Sequence, residues 1–149
     1  MEKQYWRIQT DRYARPDVRT CDLWYSHQMV FTGDHAGNMY KHAHFLKEIF
    51  PGDEVFMHYR GFGIVGCGVV ESAWDGMVYL KDDRKLYQVE PYEYQLPVKW
   101  GEEFDCRENP VPIKGRLPYL GAFSRVEPRE WNIDRIKSDL KLNASARLR

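Results

Sequence analysis

Residues 61–66 carry the spacing G-x-G-x-x-G, with which dinucleotide-binding proteins hold a pyrophosphate at the start of a helix. The next four residues are Cys, Gly, Val and Val, and they contain no helix start signal. Glycine and β-branched residues favour a strand that a neighbouring backbone approaches closely. The segment is therefore predicted to form a β-hairpin that turns at Gly61-Phe62-Gly63, and no cofactor is expected.

The sequence shows no group of residues at the spacing of a metal site or of a catalytic acid–base pair. His42 and His44 are two residues apart, a spacing that turns their side chains to different faces of a helix. No third ligand stands at a spacing typical of metal sites. Glu102, Glu103 and Asp105 cluster in a predicted loop, where nothing fixes two of them as a general acid and a general base. We therefore expect neither a bound metal nor a catalytic carboxylate pair.

The cysteines offer one enzymatic alternative. Cys67 and His58 would meet across the predicted hairpin as a nucleophile and its base. A small buried thiol and a strand histidine are the more common situation. Cys21, Cys67 and Cys106 are odd in number and widely spaced, so no disulfide framework is predicted. A reducing, cytoplasmic location is expected.

Aromatic side chains are the strongest functional signal. They make up 15% of the 149 residues, with five Trp, ten Tyr and seven Phe. Rings near strand ends and turns can sandwich a planar ligand such as an unpaired base, and each stacked base contributes about 1–3 kcal/mol. An aromatic core is the alternative, and we prefer it for Trp6 and Trp131. The rings near strand ends and turns are Trp24, Tyr25, Phe31, Tyr59 and Trp74.

Charge limits how nucleic acid could be bound. Lys plus Arg and Asp plus Glu both number 22, so the net charge is zero. Residues 1–20 are net +2 and residues 110–149 net +5, whereas residues 51–109 are net −6. The basic ends could fold into one face, with a mixed solvated surface as the alternative. Neutrality argues against salt-driven coating of a duplex, but not against capture of one base.

Periodicity and turn signals predict the elements that position these groups. Strands are predicted at 5–10, 54–59, 64–70, 77–80, 86–89 and 94–100. Helices are predicted from Pro16 toward Leu23, from an N-cap at Asn38 to a stop at 51–53, and from Pro128 through Leu140. Such a set of strands with helices outside them indicates an α+β fold on a small, curled, mostly antiparallel sheet or barrel.

A chain of this length is predicted to form one domain, residues 1–149. No apolar run approaches the ~20 residues that cross a bilayer. The first residues also lack the apolar stretch of a signal peptide. We therefore expect no association with a membrane.

Five segments match one family pattern in order: 5–10 (YWRIQT), 31–33 (FTG), 50–56 (FPGDEVF), 63–70 (GIVGCGVV) and 121–131 (GAFSRVEPREW). Together they resemble the EVE domain of the PUA-like superfamily, which is related to YTH domains. The similarity covers nearly the whole chain. It implies a PUA-like pseudo-barrel flanked by two to four helices. It also implies an aromatic pocket beside the first helix for a modified base of DNA or RNA.

The resemblance implies which rings form that pocket. Phe31 resembles an aromatic residue, usually Trp in the family, that precedes the helix. Thr32 follows it where the family often has a small residue. Trp74 falls where a second ring of the cage could sit. Phenylalanine at position 31 offers a smaller face than tryptophan and has no N–H donor.

The resemblance also implies the polar members of the pocket. Thr10 and Asp11 resemble the pair that ends the first strand, and they would bind the edge of the base through hydrogen bonds. Tyr59 and Arg60 resemble the exit of a second strand into the site. The residues predicted to hold phosphates are Arg60, Arg125 and Arg129.

The sequence therefore predicts a non-enzymatic recognition module that captures a modified or unpaired base. Its expected partner is modified DNA or RNA, and whether an effector protein acts alongside stays open. One alternative is a small PUA-like hydrolase or nuclease acting on nucleobases or small amides, with Cys67 and His58 as its supporting residues. A nucleophile within hydrogen-bond reach of a second polar group would favour that enzyme. A protein–protein adaptor is a third alternative that no particular residue supports.

Overall fold

A six-stranded sheet organises the computed structural model, which describes residues 2–34, 43–80, 92–119 and 121–146. The strands are β1 (Tyr5–Thr10), β2 (Tyr13–Arg15), β3 (Val18–Arg19), β4 (Met29–Asp34), β5 (Glu54–Tyr59), β6 (Gly63–Val70), β7 (Tyr92–Trp100) and β8 (Phe123–Arg125). The helices are α1 (Thr20–His27), α2 (Ala43–Leu46) and α3 (Ile133–Ala146), with a 3-10 turn at Glu102–Phe104. The sheet curls into a half-barrel, which confirms the predicted α+β class.

The strand order is β4-β7-β6-β5-β1-β8, with β2 and β3 forming a separate hairpin. Within the sheet, β1 pairs with β5 in parallel and the other neighbouring pairs are antiparallel. Because β1 and β5 run in the same direction, both end at one edge, where Thr10 lies opposite Tyr59. The other side of β1 is covered by β8, where Trp6 lies opposite Arg125.

Alternation along β1 and β5 sends side chains into two cores on opposite faces of the sheet. Trp6 and Ile8 of β1 enter the larger one, whereas Phe56 of β5 enters the smaller one. We call the larger one the aromatic core, and its largest buried members include Trp6, Trp24, Phe31, Tyr94 and Trp100. The smaller one is the helical core, which includes Phe56, Ile64, Phe104, Leu117 and Leu140.

The glycine-rich segment forms the β5–β6 hairpin, as predicted. Gly63 has a φ of 138°, in the region that favours glycine, and a Cβ there would lie 2.4 Å from the carbonyl oxygen of Val111. A Cβ on Gly66 would lie 2.4 Å from the hydroxyl of Tyr25. That hydroxyl donates a hydrogen bond to the carbonyl of Val65 at 3.0 Å. The glycines therefore serve close packing and do not open a helix.

The helix predicted from Pro16 is wrong. Asp17 has a φ of 69° and turns the chain between β2 and β3, so the backbone is not helical there. The helix begins only at Thr20 and ends before Gln28, whose φ of 51° places it in the left-handed conformation. None of the described helices is both long and apolar enough to cross a membrane.

The helix predicted from Asn38 is described only from residue 43, as α2, because residues 35–42 lie outside the described part of the chain. The helix ends at Leu46, before the predicted stop, but the predicted turn at 51–53 is present, since Gly52 has a φ of 92° and the next strand starts at Glu54. The Asp53 carboxylate fixes this turn by accepting hydrogen bonds from the Phe50 amide at 2.9 Å and the Trp6 indole at 3.3 Å.

Two further boundaries differ from the prediction. Residues 77–80 do not form a strand, and only Tyr79 bridges to Glu93. The strand predicted at 86–89 lies outside the described residues. The terminal helix begins at Ile133, because Pro128 lies in a turn and Asn132 accepts a hydrogen bond from the Arg135 amide at 3.1 Å, as an N-cap does.

Candidate functional site

The parallel strands β1 and β5 bring four of the predicted site residues together. Thr10 and Tyr59 are the last residues of these strands and lie opposite each other. The amide of Arg60 donates to the Thr10 carbonyl at 3.2 Å. The Arg60 guanidinium lies 3.6 Å from the Asp11 carboxylate, and both side chains are largely exposed. We call this group, Thr10, Asp11, Tyr59 and Arg60, the rim.

Thr10 is the most informative member of the rim. Its side chain is 1% exposed, and its hydroxyl oxygen has no hydrogen-bond partner in the described part of the chain. A buried hydroxyl without a partner costs about 1–3 kcal/mol. Its neighbours by alternation, Trp6 and Ile8, face the aromatic core. The hydroxyl is therefore placed where a bound polar group could satisfy it.

Phe31 lies in β4 opposite Gln95 and is 2% exposed. Its ring packs edge-on to Trp24, with centroids 6.0 Å apart, and Trp24 stacks on Trp100 at 5.9 Å. The indole N–H of Trp24 is buried and, within the described residues, has no acceptor. Phe31 is thus a strand residue inside the aromatic core, not a loop residue before a helix.

Trp74 is only partly buried and packs edge-on to Tyr94, with centroids 5.9 Å apart. Its indole donates to the Met77 carbonyl at 3.3 Å, and the Asp75 carboxylate accepts from the Met77 amide at 2.9 Å. Tyr94 lies opposite Thr32 in the pairing of β7 with β4. The structure therefore connects Trp74 through Tyr94 to the strand that carries Phe31 and Thr32.

Arg125 and Arg129 lie away from the rim. Arg125 is opposite Trp6, which lies four positions before Thr10 on β1, a distance of about 13 Å at the usual strand rise. It pairs with Glu127 at 3.4 Å, and both side chains are exposed. Arg129 is exposed in the turn before α3. Neither arginine is brought next to Thr10.

The proposed nucleophile and base are not paired. Cys67 and His58 are both buried, and no contact joins them in the described chain. His58 instead accepts a hydrogen bond at Nδ1 from Arg7 Nη1 at 3.0 Å. Burial first, and then the charge of Arg7, lowers the pKa of His58 to about 4. Burial raises the pKa of the Cys67 thiol, so it stays protonated at neutral pH and is a poor nucleophile.

Arg7 centres a network that sequence reasoning missed. It is fully buried and also donates through Nη2 to Ser124 Oγ at 2.8 Å and to the Gly121 carbonyl. Burial lowers the pKa of its guanidinium to about 10. Alternation along β1 places residue 7 on the face opposite Trp6 and Ile8, where an arginine is expected to meet solvent, so the sequence does not indicate its burial or its acceptors. His42 lies outside the described residues, which contain no cluster of metal-ligating side chains.

No protein-family model matches the chain, and no curated protein sequence matches it. Solved structures do. A hypothetical protein from Leishmania major has a TM-score of 0.56 at 12% identity, covering 93% of this chain and 96% of its own. The DUF55 domain of human thymocyte nuclear protein 1 has a TM-score of 0.53 at 12% identity, covering 93% and 99%. Rpa0253 from Rhodopseudomonas palustris has a TM-score of 0.52 at 14% identity, covering 92% and 94%. At these identities the likeness shows a shared fold.

Proposed function

We propose that this chain, which has the fold of an EVE-like domain, binds nucleic acid by capturing one modified or flipped-out base and performs no catalysis of its own. The observation that carries the proposal is the buried, unpartnered hydroxyl of Thr10 at the joined ends of β1 and β5. A base edge offers both donors and acceptors, and a threonine hydroxyl can serve either. The site therefore supplies a polar contact beside a core lined with rings.

Stacking would provide most of the affinity. Trp74 is partly exposed, so it is the ring that an incoming base meets first. Phe31 is buried against Trp24. A base can stack on Phe31 only if neighbouring side chains move and expose the Phe31 ring. Each stacked base contributes about 1–3 kcal/mol. That gain offsets the few kcal/mol needed to unstack a base, a cost that is smallest for a base that is already unpaired.

The polar residues would fix the orientation of the base and strand. Asp11 would join Thr10 at the base edge, and Arg60 would hold a phosphate. An exposed ion pair with a 3.6 Å separation contributes little to the stability of the fold. Asp11 and Arg60 can therefore leave each other and bind ligand groups at a low cost in free energy. Arg125 in β8 and Arg129 in the turn before α3 lie away from the rim and would hold phosphates outside the pocket.

A binding titration tests the proposal. Oligonucleotides carrying 5-methylcytosine or N6-methyladenine, and their unmodified forms, are titrated by fluorescence anisotropy against wild type and Thr10→Val. The valine has nearly the same shape but lacks the hydroxyl, so we expect about fivefold to tenfold weaker binding of the preferred oligonucleotide, as for one lost hydrogen bond. Phe31→Ala should abolish binding, with thermal unfolding as its check because a buried ring is lost.

Thr20→Val is the matched control. Thr20 has an equally buried hydroxyl without a described partner, but it belongs to α1 and not to the rim, and only its backbone amide contacts Arg12, at 3.2 Å from the Arg12 carbonyl oxygen. It should bind as wild type does. Equal binding of modified and unmodified oligonucleotides by every variant, or no binding by wild type, would refute the proposal.

A further inference from the structure

An exposed stack of planar groups adjoins the rim. Phe62, at the tip of the β5–β6 hairpin, is 53% exposed although it is a large apolar side chain. Its ring stacks on the buried ring of Tyr59, with centroids 4.5 Å apart and planes within 16°. The guanidinium carbon of Arg12 lies 5.2 Å from the centre of the Phe62 ring. Tyr59, Phe62 and Arg12 thus form a stack that begins in the core and ends in solvent.

The backbone keeps this stack next to the proposed base site. Arg12 follows Thr10 and Asp11, and Phe62 follows Tyr59 and Arg60, so the two segments extend the rim directly. Gly61 lies between Arg60 and Phe62 with a φ of 84°, and a Cβ there would come within 2.8 Å of the Arg12 guanidinium. Glycine at this position therefore gives both the turn and the space that Arg12 needs above Phe62.

The cation of the stack, Arg12, is available to a ligand. Arg12 has no carboxylate partner in the part of the chain that the structure describes, and its guanidinium lies over the Phe62 ring. Other arginines are engaged: Arg19 lies 2.8 Å from Asp22, and Arg107 lies 2.8 Å from Asp105. Single-stranded nucleic acid binds to exposed rings and guanidinium groups. The bases stack on rings and guanidinium planes, and cations neutralise the phosphates.

We propose that Phe62 and Arg12 form a stacking platform for the nucleotide next to the captured base, so that the substrate class is a single strand and not a closed duplex. The inference rests on the proposed function. A base can stack on an exposed ring only when it has left its own duplex neighbours. A neutral chain with Arg60 in the rim and Arg12 beside it also lacks the charge that non-specific duplex binding needs.

The test compares a methylated single-stranded oligonucleotide with the same methylated nucleoside alone. Phe62→Ala should weaken oligonucleotide binding about tenfold, as for one lost base–aromatic stack, and leave nucleoside binding unchanged. Arg12→Gln should lower the slope of log Kd against log salt by about 0.7, the value for one phosphate contact on a single strand. Tyr119→Ala, which removes another exposed ring, is the matched control and should bind as wild type does.

The outcomes separate this inference from the function on which it rests. If Phe62→Ala and Tyr119→Ala both bind the oligonucleotide like wild type while Thr10→Val does not, the platform is wrong and the base site stands. If the annealed duplex binds as tightly as the single strand, the assigned substrate class is wrong. If Phe62→Ala weakens binding of an acidic peptide but not of the oligonucleotide, the platform serves a protein and the inference fails. Absence of oligonucleotide binding by wild type overturns both proposals.

Discussion

Arg7 and Thr10 lie three positions apart on β1 and are both buried, but their side chains differ in how many hydrogen-bond partners they have. Arg7 faces the side of the helical core, where His58, Ser124 and the Gly121 carbonyl accept its hydrogen bonds. Thr10 faces the aromatic core with a hydroxyl that no described residue meets. Burial alone therefore does not identify a functional polar group. Arg7 has three described acceptors for its guanidinium, whereas the Thr10 hydroxyl has no described partner and is the group that we propose a ligand would meet.

Replacing Arg7 should have the largest effect on stability. Arg7→Met keeps much of the side-chain volume but leaves the acceptors on His58, Ser124 and Gly121 without their donor. We expect the free energy of unfolding to fall by about 3 kcal/mol, measured by urea denaturation. A loss below 1 kcal/mol would show that the network is dispensable and would remove the contrast with Thr10.

Acid should weaken the same network. The pKa of His58 is lowered from 6.5 to about 4 in the folded protein, so the unfolded chain binds more protons between these values. Stability from neutral His58 is therefore present above pH 6.5 and is lost as the pH falls toward 4. Between pH 7 and pH 5 the loss should be about 2 kcal/mol.

Urea denaturation at the two pH values checks this, with His58→Gln as the comparison because it cannot titrate. The variant should lose less stability than wild type over the same interval. Equal losses in the two proteins would assign the acid sensitivity to other groups.

Thr10 should give the smallest change and the opposite sign. Thr10→Val replaces an unsatisfied hydroxyl with a methyl group in an apolar environment, so the free energy of unfolding should stay constant or rise by up to about 1 kcal/mol. Thermal unfolding measures it, and Thr20→Val should behave alike. A clear loss of stability in Thr10→Val would mean that its hydroxyl already has a structural partner.

The sequence was sufficient for elements whose periodicity is local. β1, β5, β6 and the hairpin between the last two follow from alternation and glycine placement. The strand β4 was not predicted, because Gly33 and Asp34 resemble a turn and only pairing with β7 makes the segment extended. The prediction of a helix from Pro16 is wrong because Asp17 adopts a left-handed conformation, which the local sequence does not indicate.

The site was predictable in part. Thr10, Asp11, Tyr59 and Arg60 were selected by resemblance to a family, and the parallel pairing of β1 with β5 places them together. That pairing joins segments about fifty residues apart, so local sequence patterns could not reveal it. The missing partner of Thr10 and the stack above Phe62 are also properties of the tertiary structure. Their ligand roles stay predictions for the titrations above.

The position of β1 between β5 and β8 has a consequence for how the protein folds. Trp6 pairs with both Val55 and Arg125, so β1 completes its hydrogen bonds only after β8 has been synthesised. Contacts of such long sequence separation close late, because the entropy of the intervening loop must be overcome first. We therefore expect β1 as a whole to reach its final arrangement late in folding, and binding activity to appear only once β8 has been synthesised.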